Sequence, residues 1–544
     1  MHEKIAALIK RAAQLDFTPQ LSVPEVKEFG DYSTNAAFAI AKKKLMAPLD
    51  AAKDLVTAIE AANLGLFRKV EARAPGFVNM HLSDDALRAE LGSVLEKGAE
   101  YGKGMQKGKR ISLDYLDANP TGPAHLGHAR GGFFGDVLAN ILAFSGYEVS
   151  REFYVNNARS SLQIRSLGKT ALGRGEEYKH GQLLRLLKKQ EVAKRLRDMA
   201  DEGEAGYYVA SLIQKENADF LKKKAKITFD IFFEEESVYE KGLVREVLSE
   251  LTKRGAVYEK DGAVWFKASA YGDMEDRVFV RSDGAPTYVL PDVAYHRDRL
   301  VTRKFDACID VFGADHHGYG PRLKGALQAL GLDSGRVEML TVQTVRLMKG
   351  GEEFKMSKRK GVFVTLEELI KEVGLDAARW FFLEKSLDTH MDFDLDLAKE
   401  RSQKNPVYYA QYAAVRAANI LKKAKFTKEQ LDSAKLAGYD AKVPPLGHLK
   451  EAEEFELIKQ LVRFPETVAQ AAAMRRAHEL TKYVSELAHA FHLFYERRRV
   501  MEDSAETSLD ALLVSLARRA LVLGTLVVFT RAFGLMGIAV PKKM

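Results

Sequence analysis

His125 and His128 stand three residues apart in the run Asn119-Pro120-Thr121-Gly122-Pro123-Ala124-His125-Leu126-Gly127-His128. Two imidazoles one helical turn apart can donate hydrogen bonds to triphosphate oxygens as charge builds on a leaving pyrophosphate. Gly127 between them lets an adenine approach the backbone closely. A second run, Phe354-Lys355-Met356-Ser357-Lys358-Arg359-Lys360-Gly361, puts lysines on a loop that ends in glycine. Held over a triphosphate, such lysines would stabilise the transition state for adenylate formation. Each run has a plainer reading. The histidines could be a surface pair or two metal ligands, and the lysines a solvated basic loop. For zinc, the adjacent His316 and His317 bring no fourth-ligand pattern.

The elements around these residues weigh in favour of nucleotide chemistry. From Arg110 the chain reads as a strand (Ile111 to Asp117), a Gly/Pro loop, a helix (His125 to Phe144), a stop at Gly146 and a strand (Glu148 to Val155). This is a βαβ unit, with the histidine run where a helix N-terminus attracts phosphate at the carboxyl ends of the strands. Strand-like runs return at Val278 to Val280, Ala307 to Phe312 and Val337 to Leu347, the last leading into the lysine loop. Residues from about 165 to 255 are Lys-, Glu- and Leu-rich with helical spacing and read as an insertion. From Leu366 the pattern is helical almost to the end. The first hundred residues give helices and a short strand after Pro75, and the Gly- and Lys-rich stretch Lys103 to Lys109 breaks the pattern. The expected fold class is α/β. A Rossmann-like parallel-sheet catalytic domain (106–385) would lie between an N-terminal α+β domain (1–105) and a C-terminal all-α helix bundle (386–544).

Composition sets wider bounds. The 544 residues suffice for several domains, and 46% hydrophobic with 29% charged residues is the balance of a globular chain, which excludes wholesale disorder. Lys and Arg number 83 against 75 acidic residues, a net charge of +8 that favours a polyanionic partner without demanding one. Cys308 is the only cysteine, so neither an intrachain disulfide nor a Cys-based zinc cluster can form. Met1 to Leu15 reads as an amphipathic helix and not a secretory signal, so cytoplasmic residence is expected. The apolar stretch Ala511 to Thr530 is split by Arg518 and Arg519 and reads as a packed helix, not a membrane span.

The histidine run near a first strand and Lys355-Met356-Ser357-Lys358 after a last strand, in that order, resemble the paired signature of class I aminoacyl-tRNA synthetases. Further stretches make the chain similar to the arginyl-tRNA synthetases over nearly its whole length. They include Phe29-Gly30-Asp31-Tyr32-Ser33-Thr34-Asn35, Arg281-Ser282-Asp283-Gly284 through Tyr288 and Asp292, Gly313-Ala314-Asp315-His316-His317-Gly318-Tyr319, Asp376-Ala377-Ala378-Arg379-Trp380 and Asn405-Pro406-Val407-Tyr408-Tyr409. Only the 165–255 insertion is poorly covered.

The resemblance implies ATP- and Mg2+-dependent activation of L-arginine to the adenylate and its transfer to the 3′-terminal adenosine of tRNA(Arg). It implies His125, His128, Lys355 and Lys358 as catalytic, and Gly127, Met356 and Ser357 beside them at ATP, with Mg2+ carried by the nucleotide. Positions matching Tyr288 and Asp292 hold the guanidinium, a planar group best met by a carboxylate. Those matching Asp114, Asn119 and His316 address the other end of arginine. Phe77 and Asn79 match tRNA-elbow contacts, and Tyr409, Tyr412, Tyr495 and Met544 match an anticodon-loop platform where aromatic faces stack on unpaired bases. The family's usual state is a monomer, with activation waiting for bound tRNA. Departures are Asp114 where Glu is usual, Asp117 where Ser is usual, and Ala74 in place of an Asn. Rival readings are a catalytically inactive tRNA-binding paralogue, a nucleotidyltransferase of the same superfamily, and a cysteinyl-type enzyme. The last would need zinc-binding cysteines the chain lacks.

Overall fold

The computed structural model describes residues 1–314, 318–354, 365–425, 445–501 and 508–544. The chain opens with α1 (His2–Ala12), β1 (Leu21–Ser22), β2 (Tyr32–Thr34), α2 (Ala36–Lys44), α3 (Pro48–Ala61), β3 (Phe67–Arg73), β4 (Phe77–Leu82) and α4 (Asp84–Lys97). Its strands pair antiparallel in the order β1-β2-β4-β3. Proline begins α3, where the missing N–H is no loss, and the Ser83 hydroxyl caps α4 by accepting from the Ala86 amide.

A parallel sheet follows. Along the chain come β5 (Arg110–Asp114), α5 (Leu126–Phe144), β6 (Glu148–Val155), the insertion helices α6 (Leu162–Ala171), α7 (Gly181–Leu187), α8 (Gln190–Arg197) and α9 (Glu202–Phe220), and β7 (Ile231–Glu234). After α10 (Glu236–Glu240) and α11 (Leu243–Lys253), β8 (Val257–Lys260), β9 (Ala263–Phe266) and β10 (Arg277–Val280) form a separate antiparallel sheet. Next are α12 (Val289–Arg297), β11 (Ala307–Gly313), α13 (Tyr319–Ala329) and β12 (Val337–Val342). Strands β12-β11-β5-β6-β7 lie side by side in that order, every neighbouring pair parallel. The order reverses between β5 and β11, and an open α/β sheet takes its ligand at the carboxyl ends of the strands flanking such a reversal.

The remaining elements are β13 (Val345–Lys349), β14 (Glu352–Glu353), α14 (Leu366–Val373), α15 (Leu375–Leu383), β15 (Met391–Asp394), α16 (Leu395–Lys399), α17 (Pro406–Lys423), α18 (Ala452–Met474), α19 (His478–Arg497) and α20 (Leu509–Met536). Helix α20 is long and apolar enough to cross a membrane, yet two thirds of its most apolar stretch (67%) is buried inside the protein. It is a core helix of the bundle. Arg379 on α15 locks bundle to sheet: fully buried, it donates to the carbonyls of Met536 (2.8 Å) and Ala225 (3.0 Å) and pairs with Asp136 on α5.

The parallel sheet and helical C-terminal region agree with the expected fold class, and five local expectations need correction. The helical insertion expected over about 165–255 contains β7, which pairs parallel with β6 and so belongs to the central sheet. The strand expected to Asp117 ends at Asp114, because Leu116 and Asp117 take positive φ (92° and 50°) and cannot continue a pleat. Val278 to Val280 pairs antiparallel with β9 instead of rejoining the parallel sheet. The single strand expected over Val337 to Leu347 is two strands in two sheets. At Gln343 the carbonyl accepts from the buried Arg130 (3.0 Å) and the amide donates to Leu387 O (2.9 Å), which turns the chain out of the parallel sheet. Finally, the helical run after Leu366 is interrupted by β15, which pairs parallel with β13.

Candidate active site

The loop after β5 carries the first group of site residues. His125 is the N-cap of α5, and its Nδ1 accepts from the Gly127 amide (3.1 Å). His128 Nδ1 accepts from the His125 amide (3.3 Å), closing a reciprocal cap. Because both Nδ1 atoms accept, the proton of each neutral ring sits on Nε2. The rings stack at 3.6 Å between centroids, so both imidazoles sit together at the positive end of a helix. Gly127 is exposed beside them, and a Cβ there would stand 2.9 Å from His125 Cε1.

The chain after the lysine run docks on this motif. Thr365, the N-cap of α14, bridges to His125, and the Leu366 amide donates to Ala124 O (3.0 Å). Lys355, Met356, Ser357 and Lys358 themselves, and His316 after β11, lie outside the described residues.

The second group sits on α12. Asp292 lies in its first turn and accepts a hydrogen bond from the Tyr319 hydroxyl. Tyr288 is the N-cap residue, 60% exposed, its ring stacked 5.7 Å from that of Tyr319 and its hydroxyl accepting from Arg322 (3.1 Å). Burial pushes the Asp292 carboxyl up to about 6, against the hydrogen bond from Tyr319 and the charge of His296. The nearby carboxylates of Asp310 and Asp117 add to the rise. Asp117 therefore lies within electrostatic reach of Asp292.

Sequence reasoning missed Glu235, which follows β7. Burial, and next the charge of Asp292, push its carboxyl up to about 8. Glu235 therefore lies within electrostatic reach of Asp292, and a cation bound near both would lower the charge repulsion it feels.

Asp114 ends β5 in register with Asp310 on β11. Its Oδ1 accepts from the Tyr154 amide (3.2 Å), and burial followed by the charge of Asp310 holds its carboxyl well above the usual range. Asn119 accepts from Asn156 Nδ2 (3.1 Å) at the end of β6.

Beneath the crevice a buried polar chain fixes α12. His296 bonds the Asp292 carbonyl through Nδ1 and Asp310 through Nε2, both at 2.8 Å. Arg299 donates to Asp310 (2.5 Å) and to the Ser112 hydroxyl (2.8 Å), which donates to Glu152 (2.7 Å). Against burial, which would raise it, the charges of Arg299 and His296 hold the Asp310 carboxyl down at about 2. Arg130 was likewise not singled out, although its guanidinium, 0% exposed, clamps α5 to three carbonyls at Gln343, Ser386 and Thr389.

Away from the crevice, Tyr409 and Tyr412 on α17 and Tyr495 on α19 share one half-exposed face. Arg416 lies over the rings of Tyr412 (4.7 Å) and Tyr495 (4.6 Å), and Tyr409 packs on His492 (4.6 Å). Met544 is 38% exposed at the terminus. On β4, Phe77 is exposed and packs edge-on against Phe38, whereas Asn79 is buried and accepts from the Ser33 hydroxyl (2.8 Å), holding β2 to β4.

Three family models match the chain: the arginyl tRNA synthetase N-terminal domain over residues 1–82, the catalytic domain of class I (R) tRNA synthetases over 90–420, and the DALR anticodon-binding domain over 410–544. Among curated relatives, an arginine--tRNA ligase of Bacillus velezensis is 38% identical across 100% of this chain and 98% of its own. That of Geobacillus thermodenitrificans is 41% identical across 96% and 94%. The solved Thermus thermophilus arginyl-tRNA synthetase superposes with a TM-score of 0.76 at 20% identity, covering all of both chains, which supports the fold.

Proposed function

The chain belongs to the class I arginyl-tRNA synthetases, and from that premise we propose how its own residues attach arginine to tRNA(Arg) with ATP. The observation that carries the reading is the half-buried Asp292 carboxylate, held by Tyr319, whose ring stacks on that of the exposed Tyr288, beside the point where the strand order reverses. Asp292 receives the guanidinium, Glu235 adds a carboxyl group that is largely protonated at neutral pH in the empty pocket, and Tyr288 covers the planar group. Asp114 and Asn119 hold the ammonium end, with His316.

Positioned so, the arginine carboxylate attacks the α-phosphorus of ATP in line, and the bond to pyrophosphate breaks. Nε2–H of His125 and of His128 stabilise the charge that develops on the leaving group, together with Lys355 and Lys358. Gly127, Met356 and Ser357 border the nucleotide. The terminal ribose hydroxyl of tRNA then attacks the adenylate carbonyl, and AMP leaves. Mg2+ enters with the triphosphate of ATP, whose oxygens it neutralises.

The tRNA elbow rests near Phe77 and Asn79, and the anticodon loop on Tyr409, Tyr412, Tyr495 and Met544. The enzyme acts as a monomer in the cytoplasm, without a membrane partner. Total tRNA offered each radiolabelled amino acid with ATP and Mg2+ should be charged by arginine alone. Charging by another amino acid would overturn the pocket, and no charging would move the inactive paralogue to the front.

The Asp292 carboxyl gives a pH signature. Guanidinium binding needs the charged form, and the pKa near 6 in the empty pocket means that this form is complete above pH 7 and lost as pH falls through 6. KM for arginine should rise about tenfold per pH unit below that point, measured by steady-state charging from pH 5 to 8. A flat profile would show that Asp292 does not carry the substrate cation.

A further inference from the structure

The 162–220 helices are the part of the chain least explained by the site. They have a hydrophobic core of their own, built from Ile164, Leu167, Leu183, Leu186, Val209 and Ile213 among others. Two of their side chains nevertheless reach the loop between β5 and α5. His180, the N-cap of α7, accepts from the Leu183 amide at Nδ1 (3.3 Å). Its proton therefore sits on Nε2, which donates to Thr121 O at 2.8 Å. Burial holds the His180 pKa below its ordinary value, so the ring stays neutral with that proton in place. One residue further along, Gly122 O accepts from Asn217 Nδ2 on α9, also at 2.8 Å. Asn217 is 7% exposed, and its Oδ1 accepts from Gln182 (3.4 Å), so the two gripping helices are joined where they grip.

These bonds fall at a telling place. The loop is anchored at Asn119 by Asn156 and at Ala124 and His125 by the chain entering α14. Between those anchors, the consecutive carbonyls of Thr121 and Gly122 are held by the insertion. The contact is close: a Cβ on Gly122 would stand 3.2 Å from His180 Nε2.

We infer that His180 and Asn217 are positioning residues for the reaction: through the Thr121 and Gly122 carbonyls they set the loop that presents Asn119 to arginine and His125 to ATP. The insertion is thereby part of the active site. This rests on the reading of that loop given above. A loop carbonyl released from its donor loosens the groups that hold arginine and ATP, which weakens binding of both.

The test is pyrophosphate exchange by the full chain, with tRNA(Arg) present, for His180→Ala, His180→Gln, Asn217→Ala and, as the control on the loop, Asn119→Ala. His180→Ala and Asn217→Ala should each raise KM for ATP and for arginine roughly tenfold, with kcat within about threefold. A glutamine amide in place of the imidazole reproduces the Nε2 donor, so His180→Gln should restore both constants to within about threefold of wild type. The double alanine variant should fall short of the product of the single effects, because both residues hold the same loop. If Asn119→Ala raises KM for arginine while both insertion variants match wild type, the inference is overturned and the loop reading stands. Silence of Asn119→Ala would overturn both. A His180→Gln variant with a wild-type melting temperature but kinetics as poor as His180→Ala would assign the effect to packing of the insertion, and overturn it too.

Discussion

Asp292→Ala should lower kcat/KM for arginine by about a thousandfold and leave KM for ATP nearly unchanged, since truncating one partner of a buried charge pair costs about 2–5 kcal/mol. The carboxylate is hydrogen-bonded by Tyr319 and half-buried, so water would replace its charge at the guanidinium only poorly. Stability should move the other way or not at all. Folding holds this carboxyl against desolvation and against the charges of Asp310 and Asp117, so removing it relieves that cost in the empty protein. A thermal melt no lower than wild type alongside the kinetic loss would place the effect on substrate recognition. Asp292→Asn, which keeps shape but not charge, should be nearly as impaired. Equal loss on the ATP and arginine constants would instead mean a disrupted crevice.

How much of this could be read beforehand depended on whether the cause was local. The βαβ unit was legible because Gly146 and the Gly/Pro loop punctuate strong apolar runs, and β6 spans the stretch expected for it. The β8–β9 hairpin carries a local signal. Asp261-Gly262 joins the strands with both residues at positive φ (52° and 73°), the combination a two-residue hairpin favours, and it leads β10 into the same antiparallel sheet. The break between β12 and β13 had none, since it depends on Arg130, some two hundred residues earlier, bonding the Gln343 carbonyl. Likewise β15 is four residues long and exists because β13 lies beside it.

The site divides in the same way. His125 and His128 could be found because their spacing is their function, whereas Glu235 could not. It sits in Glu234-Glu235-Glu236, where nothing local separates one glutamate from the next; Glu234 bonds Tyr207 and Glu236 pairs with Arg159, while Glu235 responds to Asp292. Asp117, read as a departure from the family, turns out to feel Asp292. Burial, with smaller contributions from Asp310 and Asp117, keeps the Asp292 pKa high until a cation arrives, so arginine binding should release protons near pH 6.

His128→Ala is expected to cut kcat for arginine activation by about a hundred- to a thousandfold, the usual cost of removing one donor aimed at developing charge. Two losses coincide in this variant. The His125 backbone amide loses its acceptor at His128 Nδ1, and the partner that stacks on His125 at 3.6 Å disappears. The helix cap alone is worth about 1 kcal/mol, too little for the rate effect, so the larger part must come from the missing Nε2 donor. His128→Gln separates the two, because a glutamine amide can approximate Nε2–H but cannot stack as an imidazole does. Recovery of a tenth or more of wild-type kcat in the glutamine variant, with KM for arginine constant throughout, would identify Nε2–H as the group acting on the leaving pyrophosphate. If both variants raised KM for ATP and left kcat intact, His128 would serve nucleotide binding in the ground state, and stabilisation of the transition state would fall to His125 and the lysine loop.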